Sequence, residues 1–147
     1  MEHPYLNCPG RWRAEGTYYD GEGRPLPLTG RSELIWENGA RRLEGWMEAA
    51  DSPPARFTNC YIIHETPLPF TLSWQSHNPA LGVLEGTFEL VGTSILSRYA
   101  SADQAYSGWE ILTLQEDGHY YNAGVAMAHG RRMSAWTAIL TQEKEPK

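Results

Sequence analysis

Apolar and polar residues alternate with a period of two along most of the chain, broken by turn dipeptides roughly every 8 to 12 residues. Asn38-Gly39, Asp117-Gly118 and His129-Gly130 each stand between β-rich runs, as two-residue hairpin loops do, and Val91-Gly92 is a weaker fourth. Reading outward from these turns predicts ten strands, near residues 11–19, 28–36, 41–49, 55–65, 69–75, 82–90, 93–100, 107–115, 119–128 and 131–141. No window carries helical apolar spacing, and residues 1–9 and 101–106 have room for one turn of helix at most.

Directly opposed residues in a hairpin share a face, so each turn tests itself. A loop at Asn38-Gly39 sets Trp36 against Arg41, Leu34 against Leu43 and Gly30 against Met47. The reverse face then holds Arg31, Glu33, Ile35, Arg42, Glu44, Trp46 and Glu48, so one side is dry and the other charged. A loop at Val91-Gly92 sets Phe88 against Ile95 and Leu84 against Tyr99, with Glu85 and Arg98 paired on the wet side.

The last hairpins sort differently. One face collects Leu112, Leu114, Tyr121, Val125, Met127, Trp136 and Leu140; the other collects Trp109, Ile111, Tyr120, Met133 and Ile139, with Gly124, Ala126 and Ala135. Both are apolar. A soluble monomer seldom leaves such a face bare, so a homodimer through the last three strands, or cover by the N-terminal segment, is expected.

Ten up-and-down strands with short loops have two exposed edges unless they close. The fold expected is therefore all-β: a single closed antiparallel up-and-down β-barrel of about ten strands, first strand paired to last, wide enough to hold a small ligand. Residues 1–147 read as one domain, with 1–9 an N-terminal segment and 142–147 a polar tail. At this length folding buries roughly 70% of the unfolded surface, so the core needs neither metal nor disulfide. The net charge of −6 argues against nucleic acid or an anionic membrane as partner. Neither a signal peptide nor a long apolar span is visible, and Cys8 and Cys60 lack metal or redox spacing, so a cytoplasmic protein with free thiols is expected.

The first strand reads Gly10-Arg11-Trp12-Arg13-Ala14-Glu15-Gly16-Thr17-Tyr18. This resembles the Gly-x-Trp opening strand of the calycins, the lipocalin and fatty-acid-binding superfamily. The resemblance implies a Trp closing one end of the barrel, with a basic residue of the final strand, here Arg131 or Arg132, lying against it. The Gly-x-Trp-x-Ala-x-Gly run is also similar to the start of nitrobindin-type haem barrels, although the longer glycine series and the Tyr-Pro of that family are absent.

Carboxylate pairs give no catalytic signal. Glu85 and Glu89, or Glu44 and Glu48, stand about 13 Å apart along a strand, beyond the separation of a glycosidase pair. Glu33 and Glu44 are opposed, but Arg31 and Arg42 lie diagonal to them in what reads as a solvated ladder. His3, His64, His77, His119 and His129 lack zinc-ligand spacing. His64 shares a face with Cys60 and Ile62; if that face is interior, His64 would bond a ligand or ligate haem iron. A Cys60–His64 nucleophile pair fails on the same distance as the carboxylates. No glycine-rich phosphate loop leads from a strand into a helix.

The aromatic residues carry the functional expectation. Trp12, Tyr18, Trp36, Trp74 and Tyr99 fall on inward faces, joined by Leu34, Met47 and Phe88. Such a lining suits a small apolar or aromatic ligand. The expected ligand-binding set is Trp12, Tyr18, Trp36, Met47, His64, Trp74, Phe88 and Tyr99, with no metal, cofactor or catalytic residue assigned and haem on His64 as the alternative. An isomerase, cyclase or decarboxylase on the same scaffold, and a solidly filled barrel acting as an interaction protein, are the other classes left open.

Overall fold

The structure is a computed structural model that describes residues 3–78 and 81–144; the predicted tail lies partly outside them, at 145–147. A short helix, α1 (Pro4–Asn7), precedes ten strands: β1 Gly10–Tyr19, β2 Pro25–Glu37, β3 Ala40–Ala49, β4 Ala55–Glu65 and β5 Thr71–Asn78. The second half continues with β6 Gly82–Val91, β7 Ser94–Ser101, β8 Tyr106–Leu114, β9 Tyr120–Ala128 and β10 Arg131–Gln142. Each strand pairs antiparallel with its sequence neighbours, and β1 pairs with β10 from Trp12↔Gln142 to Tyr19↔Ala135, closing the barrel.

Local chemistry sets the corners. Asn38 and Gly39 have φ of 51° and 78°, and His129 and Gly130 have 51° and 78°, the paired positive angles of a twist-matched two-residue hairpin. The β2–β3 register follows as expected, with Leu34↔Leu43 and Gly30↔Met47. In place of a helical turn, residues 102–105 form the turn joining β7 to β8. Phe70, expected inside a strand, takes φ 66° and belongs to the preceding turn.

Two hairpins differ from expectation, with unequal consequences. Gly92, at φ 57°, is the first central residue of its loop, so the loop is Gly92-Thr93 and the pairs are Phe88↔Ser97 and Leu84↔Ser101. This slip of two leaves every side chain on its expected face. At Asp117-Gly118 the loop is longer: Gly118 N–H donates to the Gln115 carbonyl, Gln115 N–H to that of His119, and Leu114 opposes Tyr120. On the other side of β9 the register jumps between Arg132 and Ser134, leaving Met133 as a bulge. Both irregularities move β9 by one residue, which turns it over. Tyr120, Asn122, Gly124 and Ala126 face inward with Leu112 and Trp136, while Tyr121, Val125 and Met127 face outward.

The ends of the barrel are unlike. At the lower end Trp12, Leu34, Leu43, Ile63, Leu72, Phe88, Ile95, Leu112, Tyr120 and Leu140 pack into one apolar core, and α1 seals it with Tyr5 and Leu6. His3, fully buried, donates from Nε2 to the Gly92 carbonyl (2.9 Å), so its Nδ1 accepts from the Tyr120 hydroxyl (2.9 Å). The upper half is looser: Tyr18, Met47, Tyr61, Tyr99, Tyr106 and Trp136 point inward yet stay only partly buried.

Candidate functional site

Inward positions of the middle layer are unusually small: Gly16, Gly30, Gly45, Gly86, Gly108 and Gly124 all occupy the inner face. Three of them make room for rings on neighbouring strands. A Cβ at Gly86 would stand 2.6 Å from the Trp74 indole; one at Gly108 would meet the Tyr99 phenol, and one at Gly124 the Trp136 indole. The rings of Trp74, Tyr99 and Trp136 therefore lie along the wall, covering bare backbone, instead of crossing the barrel axis.

Around this wall sits a polar centre on β8 and β9. Glu110 Oε1 accepts from Asn122 Nδ2 (2.9 Å), which also donates to the Ile111 carbonyl (3.0 Å). The Trp136 indole N–H donates to Asn122 Oδ1 (3.1 Å), which fixes the amide with its NH2 group toward the carboxyl. Over Gly86 of β6, the Trp74 indole N–H donates to Ser97 Oγ (3.2 Å), and Ser97 opposes Glu110 in the β7–β8 ladder. Tyr61 meets Trp74 edge-on at 4.7 Å, and Tyr99 lies 5.9 Å from the same indole. Tyr18 stacks on Phe57 (5.6 Å) nearer the mouth.

Burial raises the Glu110 carboxyl to about 7, against a smaller lowering by the Asn122 hydrogen bond. Near neutral pH it is thus both a proton donor and an acceptor. Tyr61 is raised well above the ordinary phenol value and Tyr99 to about 12, by burial first and then by the charge of Glu110. Tyr5, beneath them on α1, is raised for the same leading reason. Both phenols are neutral donors at physiological pH.

The expected site residues divide. Trp74, Phe88, Tyr99, Met47 and Tyr18 face the interior, with Phe88 lower and Tyr18 higher than the polar centre. Trp12 also points inward but is sealed in the lower core, edge-on to Tyr5 and Tyr120. Trp36 is a correction: it has the inward phase but sits past the barrel's lower rim, 45% exposed, beneath the Arg41 guanidinium at 4.7 Å. His64 is another. The inner residues of β4 are Phe57, Asn59, Tyr61 and Ile63, so His64, Cys60 and Ile62 lie on the outer wall and His64 is exposed. Arg131 and Arg132 lie at the mouth, the opposite end from Trp12, and do not cover it. The Glu33–Glu44 pair is indeed in an outer ion ladder, with Arg11 on Glu33 and Arg42 on Glu44.

Sequence reasoning missed Glu110, Asn122, Ser97 and Tyr61. The usable signal was Glu110 sharing its phase with Gly108 and Leu112; its partner Asn122 was hidden by the inverted phase of β9. Among the described residues no three His, Cys, Asp or Glu side chains come together as a metal site. Of the histidines, His64 lies on the outer wall and inward-facing His3 has both ring nitrogens engaged. No helix among the described residues is long and apolar enough to cross a membrane. No protein-family model matches this chain, and no curated protein matches it in sequence.

Proposed function

We propose that this chain is a lipocalin-like binding protein for a small, flat, apolar or aromatic molecule held inside the barrel. The observation that carries this reading is the ring-lined upper interior around Glu110 and Asn122, where aromatic faces lie against glycines. Aromatic contact supplies most of the binding: covering 200 Å² of ligand contributes roughly 5 kcal/mol before association costs. Glu110 and the Tyr61 and Tyr99 phenols supply orientation. The two unpaired thiols, Cys8 and Cys60, support a cytoplasmic setting. Native mass spectrometry of the purified protein, repeated after denaturation, tests the reading. A small-molecule mass increment that denaturation removes supports it. Lack of binding across a library of flat aromatic fragments, followed by ligand-observed NMR, would sink it.

A second reading is favoured by one observation, the Glu110 carboxyl near 7 beside two neutral phenols. That set can move a proton between carbons of a bound ketone while the phenols stabilise the developing enolate. Its test is conversion of a cyclic β,γ-unsaturated ketone to the conjugated isomer, followed by ultraviolet absorbance. A rate equal in wild type and Glu110→Gln excludes it.

A further inference from the structure

We infer that the barrel selects ligands carrying a protonated amine on a flat aromatic or cyclic frame, an assignment that rests on the binding reading above. The first ground is the charge inside. Glu110 is the acid facing the middle of the interior, and among the described residues no Lys, Arg or His faces that layer. The inward-phased cation Arg41 lies at the sealed lower end, where Glu65 (3.2 Å) and Trp36 hold it. Arg131 stands exposed at the mouth. Among the described residues no cation pairs with Glu110.

The second ground is hydrogen-bond capacity. Asn122 occupies Oε1 of Glu110, and no described residue donates to Oε2. The Tyr61 and Tyr99 hydroxyls likewise make no hydrogen bond within the described protein, although both side chains are largely enclosed. A carboxylate oxygen with no donor accepts from an ammonium N–H, the stronger charge-assisted form of this bond. The third ground is the wall. Trp74, Tyr61 and Tyr99 form one ring cluster on the inner wall, Trp136 shares Asn122 with Glu110, and aromatic faces attract cations. An anionic ligand would set a second negative charge against Glu110 in a medium of low dielectric. A neutral ring gains area but leaves Oε2 desolvated and unpaired.

Three probes sharing an indole ring decide the matter by isothermal titration at pH 8: tryptamine (cation), 3-methylindole (neutral) and indole-3-propionate (anion). The expected order in wild type is tryptamine tightest, by about tenfold over 3-methylindole, with indole-3-propionate weakest. In Glu110→Gln the ratio of tryptamine to 3-methylindole affinity falls to about one. Lowering the pH to 6 in wild type weakens tryptamine alone. The groups around Glu110 (Asn122 and Trp136 of β9 and β10, Ser97 and Tyr99 of β7, Tyr61 of β4, Tyr5 of α1) do not titrate in that interval. The pH arm needs no variant, so it stands even if Glu110→Gln misfolds. Equal affinity of all three probes, or tightest binding of the propionate, overturns the amine assignment and leaves the binding reading in place. Failure of all three to bind overturns both.

Discussion

Replacing Glu110 by Gln should stabilise the protein, and only above acidic pH. Gln keeps the shape and still accepts from Asn122, but it never carries charge. In the folded barrel burial moves the Glu110 carboxyl from 4.5 to about 7. At about 1.4 kcal/mol per pH unit this corresponds to roughly 3 kcal/mol, and allowing for water on its partly open side leaves roughly 2 kcal/mol. The sign follows from proton counting. A group whose native value is raised holds its proton more tightly when folded, so its contribution is fully present below about pH 4.5. Between 4.5 and 7 the unfolded chain releases a proton that the barrel retains, and wild-type stability falls as pH rises. It levels off above 7. Urea unfolding of both proteins at half-unit steps from pH 4.5 to 8.5 measures this, the subtraction cancelling every other titrating group. The two curves should coincide near pH 4.5 and diverge to roughly 2 kcal/mol in favour of Gln by pH 8. A pH-independent difference, or a Gln variant less stable at pH 8, would refute the account of a desolvated carboxyl.

Four other outcomes are expected. Gly86→Ala places a methyl group against the Trp74 ring and the Arg98 carbonyl. It should cost about 1–3 kcal/mol of stability and alter near-ultraviolet circular dichroism; an unchanged indole signal would count against flat packing. Tyr99→Ala should weaken 3-methylindole binding several-fold while Trp36→Ala leaves it unchanged, since Trp36 lies outside the barrel; equal losses would contradict that placement. His3→Ala removes the acceptor of the Tyr120 hydroxyl in the lower core and should cost about 1–3 kcal/mol in urea unfolding; a smaller loss would mean α1 is weakly docked. Finally, Leu96, Trp109, Tyr121 and Ile139 are each exposed on the outer wall, beside a hollow edged by Glu89 and Arg98 that a two-fold copy can pair reciprocally. Sedimentation should give twice 16.6 kDa at micromolar concentration and the single mass for Trp109→Glu; a wild-type monomer excludes the dimer.

Strand positions and barrel closure were legible because both depend on local signals, alternation and turn dipeptides. Phase was harder. In β4, Ile62 and Ile63 are adjacent and both apolar, so alternation alone does not say whether His64 faces in or out. In β9 the phase depends on its neighbours' irregularities, a longer loop on one side and the Met133 bulge on the other, and neither shows in hydrophobicity. The two slips agreed with each other, which made the inverted reading self-consistent and concealed Asn122 beneath Glu110. Trp36 illustrates a different gap. Its phase was right, but alternation carries no information on height along the barrel axis, and Trp36 stands beyond the rim.

The seam between β1 and β10 ties Trp12 to Gln142, separated by nearly the whole chain. Every other strand pair is made between immediate neighbours in sequence, so nine ladders can zip locally while the tenth waits for β10 to be synthesised. Until then the growing sheet is an open ribbon with two unpaired edges, the geometry most prone to pair with another nascent chain. Such a long-range final contact raises contact order, and folding should be slow for the chain's size, with truncations of β10 far more damaging to solubility than equal cuts in any loop.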